Sequence, residues 1–191
     1  MYLYGKLLLN GDGIPADKKE ASMYLSKSAD RGYKPAMFYY RKMLLTGDGI
    51  PMDKEKGQKY IKQATHWNHD MMYEYGEMLR NGDGIPIDKY KASQYFQKAI
   101  NLINFKAMVS LGVMKVVGEG IPVNYEDGMR LLKLAADHHE IEGMKKYAGF
   151  LLISRKKEDK IIASQYLKMA SEKGDPLSFY IFKYIFHKKV E

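Results

Sequence analysis

The string Gly-Asp-Gly-Ile-Pro begins at Gly11, Gly47 and Gly82, and a Gly-Glu-Gly-Ile-Pro variant begins at Gly118, in steps of 36, 35 and 36 residues. A chain that repeats itself at this period folds as a stack of similar units, so the repeat outranks every other feature. A fifth copy has lost the turn, which reads Ser154-Arg155-Lys156-Lys157-Glu158. It keeps Ala163-Ser164-Gln165-Tyr166 where the third copy has Ala92-Ser93-Gln94-Tyr95. Repeats are expected at about 1–35, 36–70, 71–106, 107–142 and 143–177, with a partial unit at 178–191, in one domain over 1–191.

Each unit reads as helix, turn, helix. Ala36, Met37, Tyr40, Met43 and Leu44 recur at helical spacing, and Met71, Met72, Tyr75, Met78 and Leu79 repeat the pattern. That is one apolar stripe with a period near 3.6. Gly5, Gly76, Gly112 and Ala148 follow the central Tyr or Leu, where a small residue admits a partner helix; Arg41 and Lys183 stand there in the second and sixth units. First helices are expected near 1–10, 36–46, 71–81, 107–117, 143–153 and 178–188. Second helices are expected near 17–31, 53–66, 88–102, 124–138 and 159–173.

The turn follows from its residues. Gly11, Gly47, Gly82 and Gly118 stand where a helix end needs a left-handed residue, with Gly13, Gly49, Gly84 and Gly120 completing the structural turn. Pro15, Pro51, Pro86 and Pro122 forbid continuation of the helix. Asp17, Asp53, Asp88, Asn124 and Asp159 are expected to cap the second helices. Those helices end at Gly32, Gly174 and Asn68.

The combination of Gly-x-Gly-[Ile/Val]-Pro-x-Asp with Ala-x₂-Tyr-x₃-Ala at this period resembles the Sel1-like repeat family, a relative of the tetratricopeptide repeat. The resemblance implies an all-α, right-handed superhelix of about five helix-turn-helix repeats plus an unpaired C-terminal helix. It also implies a scaffold or adaptor whose first helices line a concave groove. Two rows would then face the groove. One contains Tyr2, Phe38, Tyr73, Val109, Lys145 and Tyr180; the other, four residues on, contains Lys6, Lys42, Glu77, Val113, Gly149 and Tyr184. Aromatics beside lysines suit a protein or peptide carrying apolar and acidic side chains. The alternative is that the aromatics simply pack between adjacent first helices.

Composition removes other classes. The chain has no cysteine, which excludes disulfides, thiolate metal sites and a thiol nucleophile. It has no glycosylation sequon, no signal-peptide pattern and no apolar run long enough for a membrane span, which points to a cytoplasmic protein. The Gly-Asp-Gly loops do not suit phosphate, because an acidic residue sits between the glycines and proline removes a donor. The repeated aspartates are caps, since an active site is singular. His66-Trp67-x-His69 and His138-His139 each lack a third ligand, so no metal or cofactor is expected. Trp67 is either a core plug or an exposed anchor. Met1, Met37, Met72, Met108 and Met144 share one helix position and read as core filling.

Net charge is +8, and from Gly143 to Glu191 eleven Lys/Arg face five Asp/Glu. Arg155-Lys156-Lys157 and Lys188-Lys189 could therefore meet an acidic partner. Pentatricopeptide repeats, also helix pairs of similar period, bind RNA. The Gly-Asp-Gly-Ile-Pro turn and the confinement of charge to one end argue against that reading. An enzymatic reading through cysteine-rich relatives fails on the absence of cysteine, although the chain could be a regulatory fragment of a larger enzyme. Phe179, Phe182, Ile185 and Phe186 share the apolar side of the last helix, so self-association through the C-terminal end is expected.

Overall fold

The Gly-x-Gly turns form because each carries two residues in the left-handed region. Gly11, Gly47, Gly82 and Gly118 have φ between 70° and 82°, and each donates its N–H to the carbonyl of Leu7, Met43, Met78 or Met114. Two residues on, Gly13, Gly49, Gly84 and Gly120 repeat the conformation, which an L side chain adopts only under strain. The turn is then tied back to the helix it left. The backbone N–H groups of Asp17, Asp53, Asp88 and Asn124 bond Leu8, Leu44, Leu79 and Lys115 carbonyls at 2.8 to 3.0 Å.

The computed structural model describes residues 1–61, 69–154 and 156–186, with only the backbone described at Gln58, Lys59, Ile61 and Phe186. His66, Trp67, Asn68, Arg155 and Lys188-Lys189, singled out above, lie outside them. Among the described residues all regular structure is α-helical. The helices are α1 (Tyr2–Asn10), α2 (Lys18–Asp30), α3 (Lys34–Thr46), α4 (Lys54–Ile61), α5 (His69–Asn81), α6 (Lys89–Ile100), α7 (Phe105–Val117), α8 (Tyr125–Asp137), α9 (Ile141–Ile153), α10 (Lys157–Glu172) and α11 (Pro176–Phe186). They divide into two compact units, Met1–Asp88 and Lys89–Glu191.

In the first unit α1 packs on α2, α2 on α3 and α3 on α4. Leu25 and Ala29 of α2 are fully buried against Ala36, Met37, Tyr40 and Met43 of α3. Burying side chains of this size is worth about 1.5–3 kcal/mol each, which a lone helix cannot obtain. In the second unit the same neighbour-by-neighbour packing runs from α6 to α11, and α7 also touches α9. This is the packing of a helical-repeat solenoid. Close approach is set by small residues: a Cβ on Gly112 would stand 2.9 Å from Leu132 Cγ, and one on Gly143 2.9 Å from Ala135 Cβ. Arg41, which stands in α3 where α7 has Gly112, is itself buried, at 1 % exposure.

Rings recur as the helices do. Tyr4 meets Tyr24, Tyr40 meets Tyr60 and Tyr147 meets Tyr166, each edge-on with centroids 5.0 to 5.7 Å apart. Hydrogen bonds link successive second helices: the Tyr60 hydroxyl donates to Asp30 at 2.8 Å and the Tyr166 hydroxyl donates to Asp137. Burial, then the Asp30 carboxylate, pushes the Tyr60 hydroxyl well above the usual tyrosine range. Ion pairs add a second link. Lys18 at the start of α2 meets Asp48 of the next turn, and Lys89 at the start of α6 meets Glu119 at 3.3 Å.

The helix starts differ from the sequence reading. Each first helix after α1 begins two residues before the apolar stripe, and two of them, α7 and α11, are capped from upstream. Asn104 accepts from the Ala107 N–H at 2.8 Å, and Asp175 accepts from Ser178 at 2.7 Å. Asp17, Asp53 and Asn124 cap as expected, at 2.8 to 3.0 Å. Asp159 does not. With no glycine or proline in the fifth turn, α10 begins at Lys157 behind Lys156, whose N–H donates to the Ser154 hydroxyl, and Asp159 falls in the first helical turn. Its charge there still favours the positive helix end.

The ends of the second helices also differ. Gly32 and Gly174 take the left-handed conformation, at φ 83° and 91°. The same place in the third and fourth repeats holds Ile103 and His139, at φ 61° and 65°.

Candidate partner-binding site

The two predicted rows divide evenly, with six residues in the first unit and six in the second. In the first unit Tyr2 stands at the start of α1. Its ring lies 5.0 Å from that of Tyr33, which caps α3, and 6.1 Å from that of Tyr39 on α3. Lys6, one turn on from Tyr2, places its ammonium 5.5 Å from the centre of the Tyr39 ring. Burial raises the hydroxyl pKa of both Tyr2 and Tyr39. Tyr2 feels its neighbour Tyr39 next, and Tyr39 feels the Glu74 carboxylate.

Phe38 has another place. It is 1 % exposed and meets Tyr39 edge-on at 5.4 Å, so it forms the floor under the surface ring rather than the surface. Tyr39, which the sequence reading did not select, is half-buried and together with the exposed Tyr33 carries the aromatic area beside Tyr2. No periodicity marked it, because Leu3 and Glu74 occupy its register in the adjacent repeats. Lys42 is engaged with Glu74 of the next first helix at 2.9 Å. Tyr73 is half-buried on α5, and Glu77 lies 3.9 Å from Arg80 on the same helix. Beside Tyr2, a depression of about 420 Å³ is lined by Met1, Leu3, Ser28, Arg31 and Tyr33.

In the second unit Val109 is buried and Val113 half-buried, so both rows there turn inward over α7. Lys145 of α9 bridges Glu142 and Asp175, each at 3.1 Å. Those two carboxylates hold its ammonium above the usual lysine range. Lys145 and the open space over Gly149 edge a cavity of about 360 Å³ floored by Phe150, Ile153, Leu177 and Ile181. Tyr180 and Tyr184 are both exposed on α11.

The histidines do other work. His138 stacks on Phe105 at 4.5 Å, and His69 lies 3.2 Å from Asp70. Among the described residues no group of three or more His, Asp or Glu could hold a metal, and no helix is long and apolar enough to cross a membrane.

Paired helices at a 35–36-residue period, closed by twin left-handed glycines, define a helical-repeat solenoid. The Sel1 repeat profile matches residues 1–33, 35–66, 69–104, 105–139 and 149–175, and the chain belongs to that family. Proteins of this family are typically non-catalytic protein-interaction scaffolds. The chain resembles the crystal structure of a Sel1 repeat protein from Oxalobacter formigenes with a TM-score of 0.78 and 21% identity, covering 98% of this chain and 77% of that one. It also resembles a protective antigen of uropathogenic Escherichia coli strains that displays an SLR fold, with a TM-score of 0.74 and 22% identity over 96% of this chain. The chain spans 40% of that antigen's length. No curated protein sequence matches the chain.

Proposed function

We propose that the chain is a scaffold that holds a protein or peptide partner on the exposed side of its first helices, by apolar and acidic side chains of that partner. The carrying observation is the Tyr2–Tyr39–Lys6 cluster, in which an ammonium sits over a half-buried ring beside a second ring. Such a surface offers apolar area and positive charge within one side-chain length. A partner with an acidic residue next to an aromatic or aliphatic one satisfies both. Lys145 and Tyr180 extend the reading to the second unit, where the cavity beside Gly149 takes an apolar side chain. Phe38 contributes by fixing Tyr39 from below.

Selection from a random peptide display library tests this. Peptides enriched on the wild-type chain should combine acidic with aromatic or aliphatic residues. Their affinity should fall about tenfold or more on Tyr2→Ala with Lys6→Glu, at unchanged circular dichroism. Enrichment of basic peptides, or affinity indifferent to both substitutions, would reject the reading.

A further inference from the structure

The described ends of α2, α6, α8 and α10 close with one hydrogen-bond pattern. The N–H of Gly32, Ile103, His139 or Gly174 reaches back to the carbonyl of Ala29, Ile100, Ala136 or Ser171, and the next N–H reaches Ser28, Ala99, Ala135 or Ala170. The pattern needs a left-handed residue, which glycine supplies without strain. After α6 it is supplied by a β-branched residue, Ile103, at φ 61°, whose side chain gains little burial in return, at 68 % exposure. Leu102 beside it is 49 % exposed. The backbone under the pair is held on both sides, by the Ala99 and Ile100 carbonyls and by the buried Asn104, whose side chain caps α7. Two aliphatic side chains therefore stand out of a fixed turn, in a conformation that glycine would adopt more readily. Strain of this kind persists where a function uses what the strained segment presents.

Charge around this tip is one-sided. From Lys89 to Gly118, through α6, the turn and α7, the chain has five lysines and no carboxylate. Lys98 in the last turn of α6 and Lys106 in the first turn of α7 are both exposed. In the neighbouring turn Asp137 is taken up by Lys133 at 2.7 Å and by the Tyr166 hydroxyl, and Glu140 is half-buried. We propose that the Leu102-Ile103 tip docks on an anionic lipid surface. The two aliphatic side chains enter the boundary between headgroups and acyl chains, and Lys98 and Lys106 meet the headgroups. Shape and charge select this occupant. A protruding tip has no groove to clasp a peptide, and Asn101 to Asn104 include none of the Trp, Tyr or Arg that anchor protein interfaces. Aliphatic knobs flanked by cations suit a negatively charged bilayer, and because the turn is already fixed, insertion orders no backbone. The tip is separate from the residues that carry the proposed partner binding.

Flotation of the full chain with lipid vesicles tests this, since floating separates lipid-bound chain from self-associated chain. The chain should float with vesicles of mixed phosphatidylserine and phosphatidylcholine, and about tenfold less with phosphatidylcholine alone. Ile103→Gly with Leu102→Ser should weaken partitioning about tenfold or more in a variant that still folds, because glycine relieves the strain. Lys106→Glu should weaken it about fivefold or more. Lys160→Glu, the same change of charge in the first turn of α10, should alter it less than about twofold. Insertion has its own readout. The chain has no cysteine, so Leu102→Cys carries a single polarity-sensitive dye, whose emission should shift to the blue with the mixed vesicles. The same dye at Lys160→Cys should not shift. Failure of the wild-type chain to float, flotation indifferent to the double variant, equal losses on Lys106→Glu and Lys160→Glu, or equal dye shifts overturns the proposal. So does a protein or peptide whose binding the double variant abolishes while flotation is untouched, because the tip then serves a protein pocket.

Discussion

The guanidinium carbon of Arg41 lies 4.6 Å from the centre of the Tyr75 ring and 5.6 Å from that of Phe38. Arg41 is 1 % exposed, at a helix position that is glycine in the first, third and fourth repeats. A planar, weakly hydrated cation fits between two aromatic faces, where an ammonium on a flexible stem does not. Arg41→Lys should therefore cost about 1–2 kcal/mol in urea denaturation, although charge is kept. In a double-mutant cycle with Tyr75→Leu the coupling should be about 1 kcal/mol. Additivity would show that the ring contributes nothing beyond filling space.

The second glycine of each turn has two separable duties. Gly13 and Gly84 share the same left-handed conformation, with φ of 75° and 72°. A Cβ on Gly84 would also stand 2.5 Å from the Leu45 carbonyl oxygen, while Gly13 has open space. Gly13→Ala should then show strain alone, about 1 kcal/mol. Gly84→Ala should add the collision with a fixed backbone atom and cost clearly more, by about 1–2 kcal/mol. Equal losses in parallel melts would mean that the inter-repeat contact is slack.

Ile103 is β-branched and exposed, yet sits at φ 61° where Gly32 and Gly174 end their helices. The conformation costs a β-branched residue on the order of 1–2 kcal/mol, more than the extra chain entropy of glycine. Ile103→Gly should raise stability by about 0.5–1 kcal/mol. A loss of stability would mean that the exposed isoleucine makes a contact worth more than the strain.

The turns and the pairing of helices were legible in the sequence because their chemistry is local. A glycine that must be left-handed, a proline that must stop a helix and a carboxylate three residues from an N–H can each be read in place. Four things were not. The caps at Asn104 and Asp175 lie upstream of the apolar stripe, so the stripe alone set the helix starts too late. Ile103 and His139 replace glycine at a left-handed position that neither residue type announces. Phe38 belongs to the floor and Tyr39 to the surface, a one-residue choice decided by which neighbour covers which ring. The Lys18–Asp48 and Lys89–Glu119 pairs were readable from their common spacing, but only once the stacking of a turn on the preceding second helix was known.

The last helix bears on association. Phe179 and Ile185 of α11 are 48 and 44 % exposed, and Leu177, Tyr180 and Tyr184 are exposed with them, while Phe182 is partly buried. Five large side chains in water on one short helix form a patch of the kind that drives association, since covering each is worth about 1.5–3 kcal/mol. At micromolar concentration the chain should therefore scatter light as a species heavier than its 22.0 kDa monomer. Tyr180→Asp with Tyr184→Asp should restore the monomer, because the two residues lie one turn apart on the exposed side of α11, at 68 and 67 % exposure. Leu7→Asp, at the other end of the chain, should leave the association unchanged. A monomer in the wild-type chain, unaltered by the double aspartate variant, would show that α11 closes the stack by itself.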